Sequence, residues 1–244
     1  MIRTLRTLRT LRLPLPLALA LVLAAAPRAH ATTFSENFDN VAALVGSGWS
    51  IINNSTPGGS TNWFQGEPGI FAAQAGAPSS YVAANFNNAG VGGDISDWLL
   101  TPLLALDNTT TLKFFTRTEA GSVFPDRLEV RLSTNGASAN VGATPTSVGD
   151  FTTLLLTINP ALAVGGYPEG WTQFSVTLSG LGAPTTGRFG FRYFVTNNDV
   201  NADYIGIDTV TVEAVPEPAT LALTLTGMAG VLARRRKTKK NANR

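Results

Sequence analysis

Apolar and polar residues alternate with a period of two in several short runs, separated by Gly, Asn, Ser and Thr. In residues 127–132, Leu128, Val130 and Leu132 alternate with charged residues. Because successive side chains of a strand point to opposite faces, this pattern predicts a half-buried antiparallel strand. Similar runs occur at 110–117, 171–178 and 188–195, and a weaker one at 81–86.

Two of the runs depart from simple alternation. In residues 188–195, aromatic residues alternate with arginines, but Phe194 interrupts the polar face, so we expect part of the outer face to be covered. In residues 204–214, the apolar positions change parity between Ile207 and Val210. A β-bulge or strand boundary near Asp208 and Thr209 would reconcile the two halves.

About ten such strands predict an all-β fold, a jelly-roll β-sandwich. No internal repeat or Pro/Ser-rich linker divides the chain before Pro216, which favours a single domain over residues 32–214. We expect residues 1–31 to be an N-terminal signal peptide and residues 215–240 a C-terminal segment with a short transmembrane helix.

The charges divide the chain into three parts. The 244 residues carry 18 Lys+Arg and 16 Asp+Glu, but five cations lie in the first 31 residues and seven in the last eleven. Residues 32–215 keep six cations against fifteen acids, a formal charge of −9. An acidic domain between two basic ends is a poor nucleic-acid binder, so no nucleic-acid partner is expected.

Two residue counts limit the possible chemistry. The chain has no cysteine, which excludes disulfides, a thiolate nucleophile and Cys-ligated metals. Its single histidine, His30, lies in the segment expected to be removed, so a mature form has no His general base. A pair of carboxylates is the remaining catalytic route, but no acid lies in a catalytic motif, and we predict no enzymatic activity.

The N-terminus has the features of a secretory signal. Four arginines precede an apolar run at 13–26, and Ala29-His30-Ala31 supplies the small-x-small pattern that signal peptidase requires. We expect cleavage after Ala31. The alternative is a retained signal anchor, although the apolar run is shorter than the ~20 residues of a typical span.

The C-terminus combines a short motif, an apolar run and a basic cluster. Pro216-Glu217-Pro218 precedes residues 219–233, which as a helix reach about 22 Å against a ~30 Å hydrocarbon core. The basic residues Arg234, Arg235 and Arg236 follow directly. This order resembles a PEP-CTERM sorting signal, which implies transient membrane insertion and cleavage by an exosortase. The alternative is an uncut membrane anchor.

Seven motifs follow one another along the domain. They are Ser35-Glu36-Asn37-Phe38-Asp39, Gly48-Trp49, Asp97-Trp98-Leu99-Leu100-Thr101-Pro102-Leu103, the run 126–136, Trp171, Phe189-Gly190-Phe191-Arg192-Tyr193 and Tyr204-Ile205-Gly206-Ile207-Asp208. Their order resembles a choice-of-anchor J domain, similar to the cleaved-adhesin and MAM-like jelly rolls. The resemblance implies a jelly roll attached to a bacterial surface, with an adhesive or matrix role.

The same resemblance suggests a structural calcium ion where the first and last strands meet. Glu36 and Asp39 match its first position and Asp208 its second. An ion there would link residues about 170 positions apart, where a clip restricts the unfolded chain most. Alternatively, Glu36 and Asp39 are solvated turn residues and Asp208 caps the bulge.

Residues 199–203 form a second acidic loop, but Tyr204 and Val210 occupy the positions of the EF-hand Gly and Glu. An EF-hand is therefore rejected, leaving a looser calcium loop or, as we favour, a polar hairpin loop.

The four tryptophans are candidates for sugar stacking. Trp98 and Trp171 lie in strand-like runs and are expected in the core. Trp63 lies in the loop-rich stretch 53–78 and is the better surface candidate of the four, although burial under the long loop is the default for such a side chain.

These observations predict a non-enzymatic, exported bacterial protein of the cell envelope, outer surface or exopolysaccharide matrix, made through an inner-membrane precursor. Its expected role is adhesive or structural, and its expected processing partners are signal peptidase and an exosortase. The alternative function is a carbohydrate-binding module that contacts exopolysaccharide or surface glycans through loop aromatics such as Trp63.

Overall fold

A computed structural model describes residues 32–214, which form two antiparallel β-sheets packed face to face. Three single-turn 3-10 helices lie at Val41–Ala43, Val45–Ser47 and Phe86–Asn88. The strands are β1 Thr32–Glu36, β2 Ser50–Asn53, β3 Thr56–Gly58, β4 Phe64–Gln65, β5 Val82–Asn85, β6 Ala89–Leu100, β7 Leu104–Leu106, β8 Thr111–Thr118, β9 Leu128–Ser133, β10 Thr153–Ile158, β11 Thr172–Thr177, β12 Thr185–Val195 and β13 Tyr204–Ala214.

The prediction of an all-β sandwich is confirmed, and the strand order is consistent with a jelly-roll-like sandwich. The six strand runs predicted from alternation correspond to β5, β8, β9, β11, β12 and β13.

The first sheet has six strands, in the order β11-β8-β13-β5-β4 with β1 also paired to β13. Strand β13 has β8 on one side and two short partners on the other. Tyr204–Ile207 pair with β5, and Val210–Ala214 pair with β1. A gap therefore separates the end of β5 from the end of β1, opposite Asp208 and Thr209.

The predicted irregularity in the last strand is a β-bulge at this gap. The register of β13 against β8 shifts between Asp208 and Thr211, and Thr209 has a φ of 50°. Ile205 and Ile207 before the bulge and Val210 and Val212 after it all reach the core. The bulge keeps both halves of the strand inward-facing despite their opposite parity.

The second sheet has seven strands, in the order β10-β9-β12-β6-β2, with β3 paired to β6 and β7 to β12. The main core lies between the sheets. Phe189, Phe191 and Tyr193 of β12 point into it, as predicted, and Leu128 and Val130 of β9 meet them there.

The outer face of the second sheet is also covered, by the loop from β9 to β10. Val141 and Phe151 of this loop pack on Trp98 and Leu100 of β6. Beneath it, the Arg192 guanidinium lies 3.0 Å from Glu129 and is 1% exposed. The prediction from Phe194 that this face is partly covered is therefore confirmed. The prediction of a half-buried strand at 127–132 is wrong, because Glu129 on its outer face is buried as well.

The pairing registers place four crossing loops at one end of the sandwich. Residues 86–88, 119–127, 159–171 and 196–203 each connect one sheet to the other there, because Tyr204 pairs with Asn85 and Tyr193 with Leu128. Thr32 and Ala214, where the described chain starts and ends, pair with each other at the opposite end. The first residues of β6, 89–94, lie beside the 196–203 loop, since Gly93 accepts from Asn198 N–H and donates to its side chain. We call the four crossing loops together with residues 89–94 the loop end.

Helices within residues 32–214 are single turns, and none has the length and apolar character to cross a membrane. The expected signal peptide at 1–31 and transmembrane helix within 215–240 lie outside the described residues.

Candidate functional site

Asp208 lies at the gap between β5 and β1, and its carboxylate binds the loop of residues 74–76. Its Oδ2 accepts hydrogen bonds from the backbone N–H of Gln74 at 2.8 Å and of Ala75 at 3.1 Å. Its Oδ1 accepts from the N–H of Thr209 at 2.6 Å. The side chain is fully buried, and burial raises the pKa of Asp208 above its ordinary value. Asp208 thus fastens the 74–76 loop over the bulge.

Asp39 lies beside the same loop. Its Oδ1 is 3.4 Å from the position that a Cβ would take on Gly76, and the side chain is exposed. The structure therefore brings Asp39 and Asp208 to one loop, although 169 positions separate them in sequence. Whether these residues form the ion site that the resemblance implies stays a prediction.

Glu36 lies on the other face of the sheet. It pairs with Val210, which points into the core, and its Oε1 accepts from the backbone N–H of Phe38 at 2.8 Å. Asp208 instead pairs with Phe115, the neighbour of the core residue Phe114. Because adjacent positions of a strand face opposite ways, Glu36 and Asp208 start from opposite faces.

These contacts bear on whether the three carboxylates fit a calcium ion. Asp208 already accepts three N–H groups out of about four acceptor positions, and Glu36 caps its own turn. Within residues 32–214, no group of three or more His, Cys, Asp or Glu side chains is arranged to hold a metal. Asp39 keeps a free carboxylate, so the residues fit an ion only in part, and calcium binding stays a prediction.

The second acidic loop is a hydrogen-bonded turn. Asp199 Oδ1 accepts from the N–H of Gly92 at 2.9 Å, and Asn198 Oδ1 accepts from Gly93 at 2.8 Å. Asn201 Nδ2 donates to the carbonyl of Thr196 at 2.8 Å. These bonds form a polar turn, but the predicted hairpin is wrong, because β12 and β13 belong to different sheets and the loop crosses between them.

The prediction that Trp63 is a surface aromatic is wrong, because its side chain is 4% exposed and belongs to the main core. The segment around it is fixed against the first sheet. Thr61 Oγ1 donates to Asn88 Oδ1 at 2.7 Å, and Phe64 pairs with Ala83 through β4. These contacts attach the 53–78 loop to the edge of the first sheet. Trp63 is buried beneath it, so neither face of its ring is accessible to a sugar.

Trp98 and Trp171 differ in burial. Trp98 is fully buried, as predicted, but under the loop on the outer face of the second sheet. Trp171 is only partly buried, on the outer face of the first sheet, where its Nε1 donates to the carbonyl of Ala72 at 2.8 Å. The expectation that Trp171 lies in the core is therefore wrong for the main core. Trp171 packs instead on a smaller cluster on the outer face of the first sheet.

That outer cluster consists of stacked and edge-on aromatic rings above Gly206. Phe71 stacks on Tyr81 at 5.1 Å between centroids, and Trp171 meets both rings edge-on at 5.6 Å. The Arg117 guanidinium lies 4.3 Å from the centre of the Phe71 ring. Sequence reasoning missed this cluster, although a glycine inside a strand, at 206, is a signal of close approach by another group.

Two carboxyl groups are buried near the core. Asp126 Oδ1 accepts from the Tyr193 hydroxyl at 2.5 Å and from the N–H of Asp203 at 2.8 Å, and its Oδ2 accepts from the Thr118 hydroxyl at 2.5 Å. Burial raises the pKa of Asp126 to about 6. These bonds join β8, β12 and the loop before β13.

Asp97 is the second buried carboxyl group. Its Oδ2 accepts from Asn88 Nδ2 at 2.5 Å, and its Oδ1 has no partner among the described residues. Burial raises the pKa of Asp97 well above its ordinary value, which favours the protonated form. Both carboxyl groups are closed off from solvent, and their contacts are those of structural groups rather than of a catalytic pair.

Comparison with known proteins identifies both the C-terminal segment and the fold. Residues 214–237 match the PEP-CTERM protein-sorting motif, which includes Pro216-Glu217-Pro218 and Arg234-Arg235-Arg236. Apart from Ala214, the matched residues lie outside the described part of the chain. No curated protein matches the sequence.

Solved structures show what the sandwich resembles. The K1 cleaved adhesin domain of Lys-gingipain from Porphyromonas gingivalis W83 is 26% identical, with a TM-score of 0.50, over 75% of this chain and 98% of that domain. The K3 domain of the same protein is 20% identical, with a TM-score of 0.51, over 75% of this chain and 99% of the domain. The K2 domain is 18% identical, with a TM-score of 0.52, over 74% and 99%. The chain thus combines a sandwich similar to cleaved adhesin domains with a PEP-CTERM sorting motif.

Proposed function

We propose that the protein is a non-enzymatic adhesive or structural component of the bacterial surface or exopolysaccharide matrix, released or tethered there after exosortase processing. The match of residues 214–237 to the PEP-CTERM motif carries this proposal. A chain with this motif is an exported surface protein that an exosortase processes. The resemblance of the sandwich to adhesin domains supports the adhesive part.

The architecture of residues 32–214 suits a displayed domain. Both ends of the described chain lie together at one end of the sandwich, where β1 pairs with β13. The domain has no cysteine to be oxidised outside the cell, and its two sheets enclose a large apolar core. Its formal charge of −9 over residues 32–215 supports solubility and disfavours contact with nucleic acid or anionic lipid.

A structural rather than catalytic role follows from the burial of the strongest candidate groups. Asp97 and Asp126 have raised pKa values, as a general acid would, but both side chains lie at 1% exposure or less. Their partners are Asn88, Thr118 and Tyr193, which tie elements of the fold together. We therefore assign them to stability.

Two expectations remain as proposals with their own tests. Calcium at the Asp39 and Asp208 loop would stabilise the junction of β1 and β13, which is where the chain enters and leaves the domain. Binding to exopolysaccharide stays possible for the matrix role, but Trp63 does not supply its contact, because that side chain is in the core.

The proposal is tested in the producing bacterium with cells that have or lack the exosortase. Wild-type cells are expected to carry the domain on the surface or in the matrix, where external protease or antibody reaches it. Cells without the exosortase, and cells with Glu217→Ala, are expected to retain the chain in the inner-membrane fraction. A matched substitution beyond the motif, Asn241→Ala, serves as the control and is expected to behave as wild type.

Adhesion is measured on the same strains by attachment to a surface and by retention of exopolysaccharide. Loss of both in cells that make no protein supports the adhesive or structural role. A domain found in the cytoplasm of wild-type cells would contradict the proposal, as would hydrolysis of a matrix glycan by the purified protein.

A further inference from the structure

The loop end concentrates the exposed apolar side chains of the domain. Ten large hydrophobic side chains are exposed in residues 32–214, and six of them lie in the loop end, five in its crossing loops and Val91 at the start of β6. They are Phe86, Val91, Val123, Phe124, Val164 and Val200. Val91 is the most exposed, at 89%. Single exposed apolar residues are ordinary, but a group gathered on one end of a soluble domain is typical of an interaction surface.

Hydrogen bonds between the loops hold this surface in one arrangement. Asp126 joins two of them to its own loop, since its Oδ1 accepts from the N–H of Asp203 at 2.8 Å and its carbonyl accepts from Asn159 Nδ2 at 2.8 Å. Asp199 accepts from Gly92 at 2.9 Å, which ties residues 89–94 to the 196–203 loop. Because the loops are ordered before any partner arrives, binding loses less conformational entropy.

The loop end is acidic and contains few cations. It holds six of the fifteen acids of residues 32–215, and its single cation is Arg127. The acids are Asp94, Glu119, Asp126, Glu169, Asp199 and Asp203. Of the three ion pairs within residues 32–214, none includes a residue of the loop end, although Arg117 of the adjoining strand β8 interacts electrostatically with Glu169. With the buried Asp126 set aside, the loop end has five carboxylates and one arginine.

This charge selects among the possible partners. An anionic polysaccharide, an anionic lipid surface and a second copy of the same acidic end would all be repelled. The exposed apolar side chains are four valines and two phenylalanines. Aliphatic groups pack against apolar side chains of another protein, and carboxylates around them pair with Lys or Arg of that protein.

The loop end also lies far from the point where the chain leaves the domain. Strand β13 runs for 11 residues from Tyr204, next to the loop end, to Ala214. At ~3.3 Å per residue its length is about 35 Å. Ala214, the last described residue, therefore lies about 35 Å along the strand from the loop end.

We propose that the loop end is a docking surface for a protein partner that presents basic residues among apolar ones. This inference deepens the proposed function and rests on it, because it assumes that the domain is displayed outside the cell. The partner is defined by that chemistry: an apolar patch against the valines and phenylalanines, and Lys or Arg against Glu119, Glu169 and their neighbours.

The test places a photo-crosslinking amino acid, p-benzoylphenylalanine, at single positions of the full-length protein in the producing cells. Val164 in the loop end and Val45 near the opposite end form a matched pair, because they are 62% and 64% exposed. After irradiation, the adducts are purified and the partner peptide at the crosslink is sequenced by mass spectrometry. We expect a protein adduct from position 164, with a partner peptide that is net positive and apolar, and at least tenfold less adduct from position 45.

A charge variant tests the electrostatic part. Glu119→Gln combined with Glu169→Gln removes two exposed carboxylates for which the structure shows no hydrogen bond. It is expected to lower the adduct yield from position 164 about fivefold, as the loss of two surface charge contacts would. Raising the NaCl concentration before irradiation is expected to lower the yield in the same direction.

Several outcomes would overturn the inference. These are equal yields from positions 164 and 45, an acidic partner peptide, an adduct with a second copy of the chain, an adduct with glycan or lipid, or no adduct at all. Surface display is followed separately, by protease accessibility of the same cells. A displayed protein without the expected adduct rejects the docking surface alone, whereas an undisplayed protein rejects the proposed function.

Discussion

The buried carboxyl group of Asp126 makes the stability of the domain depend on pH. Burial raises the pKa of this group from 3.8 to about 6 in the folded state. Since the folded state binds the proton more tightly, the group stabilises the fold below pH 3.8, and that contribution is lost as the pH rises to about 6. At about 1.4 kcal/mol for each pKa unit, the loss is about 3 kcal/mol.

Asp126→Asn isolates this effect, because the amide can keep the local bonds. Its oxygen can accept from Tyr193 and Asp203 as Oδ1 does. Its Nδ2 can donate to Thr118 Oγ1, whose own hydrogen then goes to the Tyr204 carbonyl, 3.0 Å away. The variant therefore lacks the ionisation while retaining the network that joins the strands.

The assay is urea unfolding of residues 32–214, followed by tryptophan fluorescence, for both proteins between pH 4 and pH 7.5. Subtracting the two unfolding free energies cancels the titration of every other group. The wild type is expected to lose about 2 kcal/mol relative to Asp126→Asn over this range, because part of the contribution is already lost at pH 4. The reasoning would be refuted if the unfolding free energies of the two proteins changed equally with pH. It would also be refuted if the wild type became more stable relative to Asp126→Asn as the pH rises.

Three further changes test other parts of the structure. Gly206→Ala is expected to destabilise the fold by ~1–3 kcal/mol in urea unfolding, because its Cβ would lie 2.9 Å from atoms of Phe71, Tyr81 and Trp171; Gly46→Ala, with nothing within 4 Å, is the control and should be near neutral. Trp63→Ala is expected to cost ~3–5 kcal/mol, as a core truncation does, and a stable protein that had lost only glycan binding on an array would instead restore the surface assignment. For calcium, chelation is expected to lower the melting temperature measured by calorimetry, and this decrease should be smaller in Asp39→Asn than in wild type. Identical melting temperatures with and without chelator would contradict calcium binding.

The strands could be predicted where one face is apolar and the other polar. Residues 204–214 are the best case, since the change of parity after Ile207 located the bulge at Asp208 and Thr209. Strand β6 was not predicted as a whole, because Ala89–Leu100 begins with glycines and ends in residues buried on both faces. A strand that is buried on both faces has no polar face, so alternation of apolar and polar residues cannot reveal it.

The covering loops explain most of what the sequence did not reveal. Phe71 and Phe151 come from irregular segments, and nothing local indicates that they pack on outer sheet faces. Trp63 was misplaced for the same reason, because its burial depends on Asn88, which holds Thr61 from 27 positions away. Two residues did indicate a covered face: Phe194, which is apolar on a face otherwise occupied by arginines, and Gly206, a glycine inside a strand.

The candidate site was predictable as a location but not as a set of ligands. The resemblance indicated Asp39 and Asp208 as ion ligands, which stays a prediction; in the structure Asp208 binds the 74–76 loop and Asp39 lies beside it. The resemblance did not indicate that backbone amides of that loop would occupy the Asp208 carboxylate. Hydrogen bonds from the backbone leave no pattern in side-chain identity, so they can be known only once the chain is folded.

Processing at the C-terminus is the central claim, and the intact mass of the mature protein tests it most directly. The protein is purified from wild-type cells and from cells without the exosortase, and each mass is assigned to a start and an end residue. The account predicts a wild-type chain that begins near Thr32 and lacks Arg234-Arg235-Arg236, and a mutant chain that retains them. A wild-type protein that keeps the basic tail through Arg244 would contradict it.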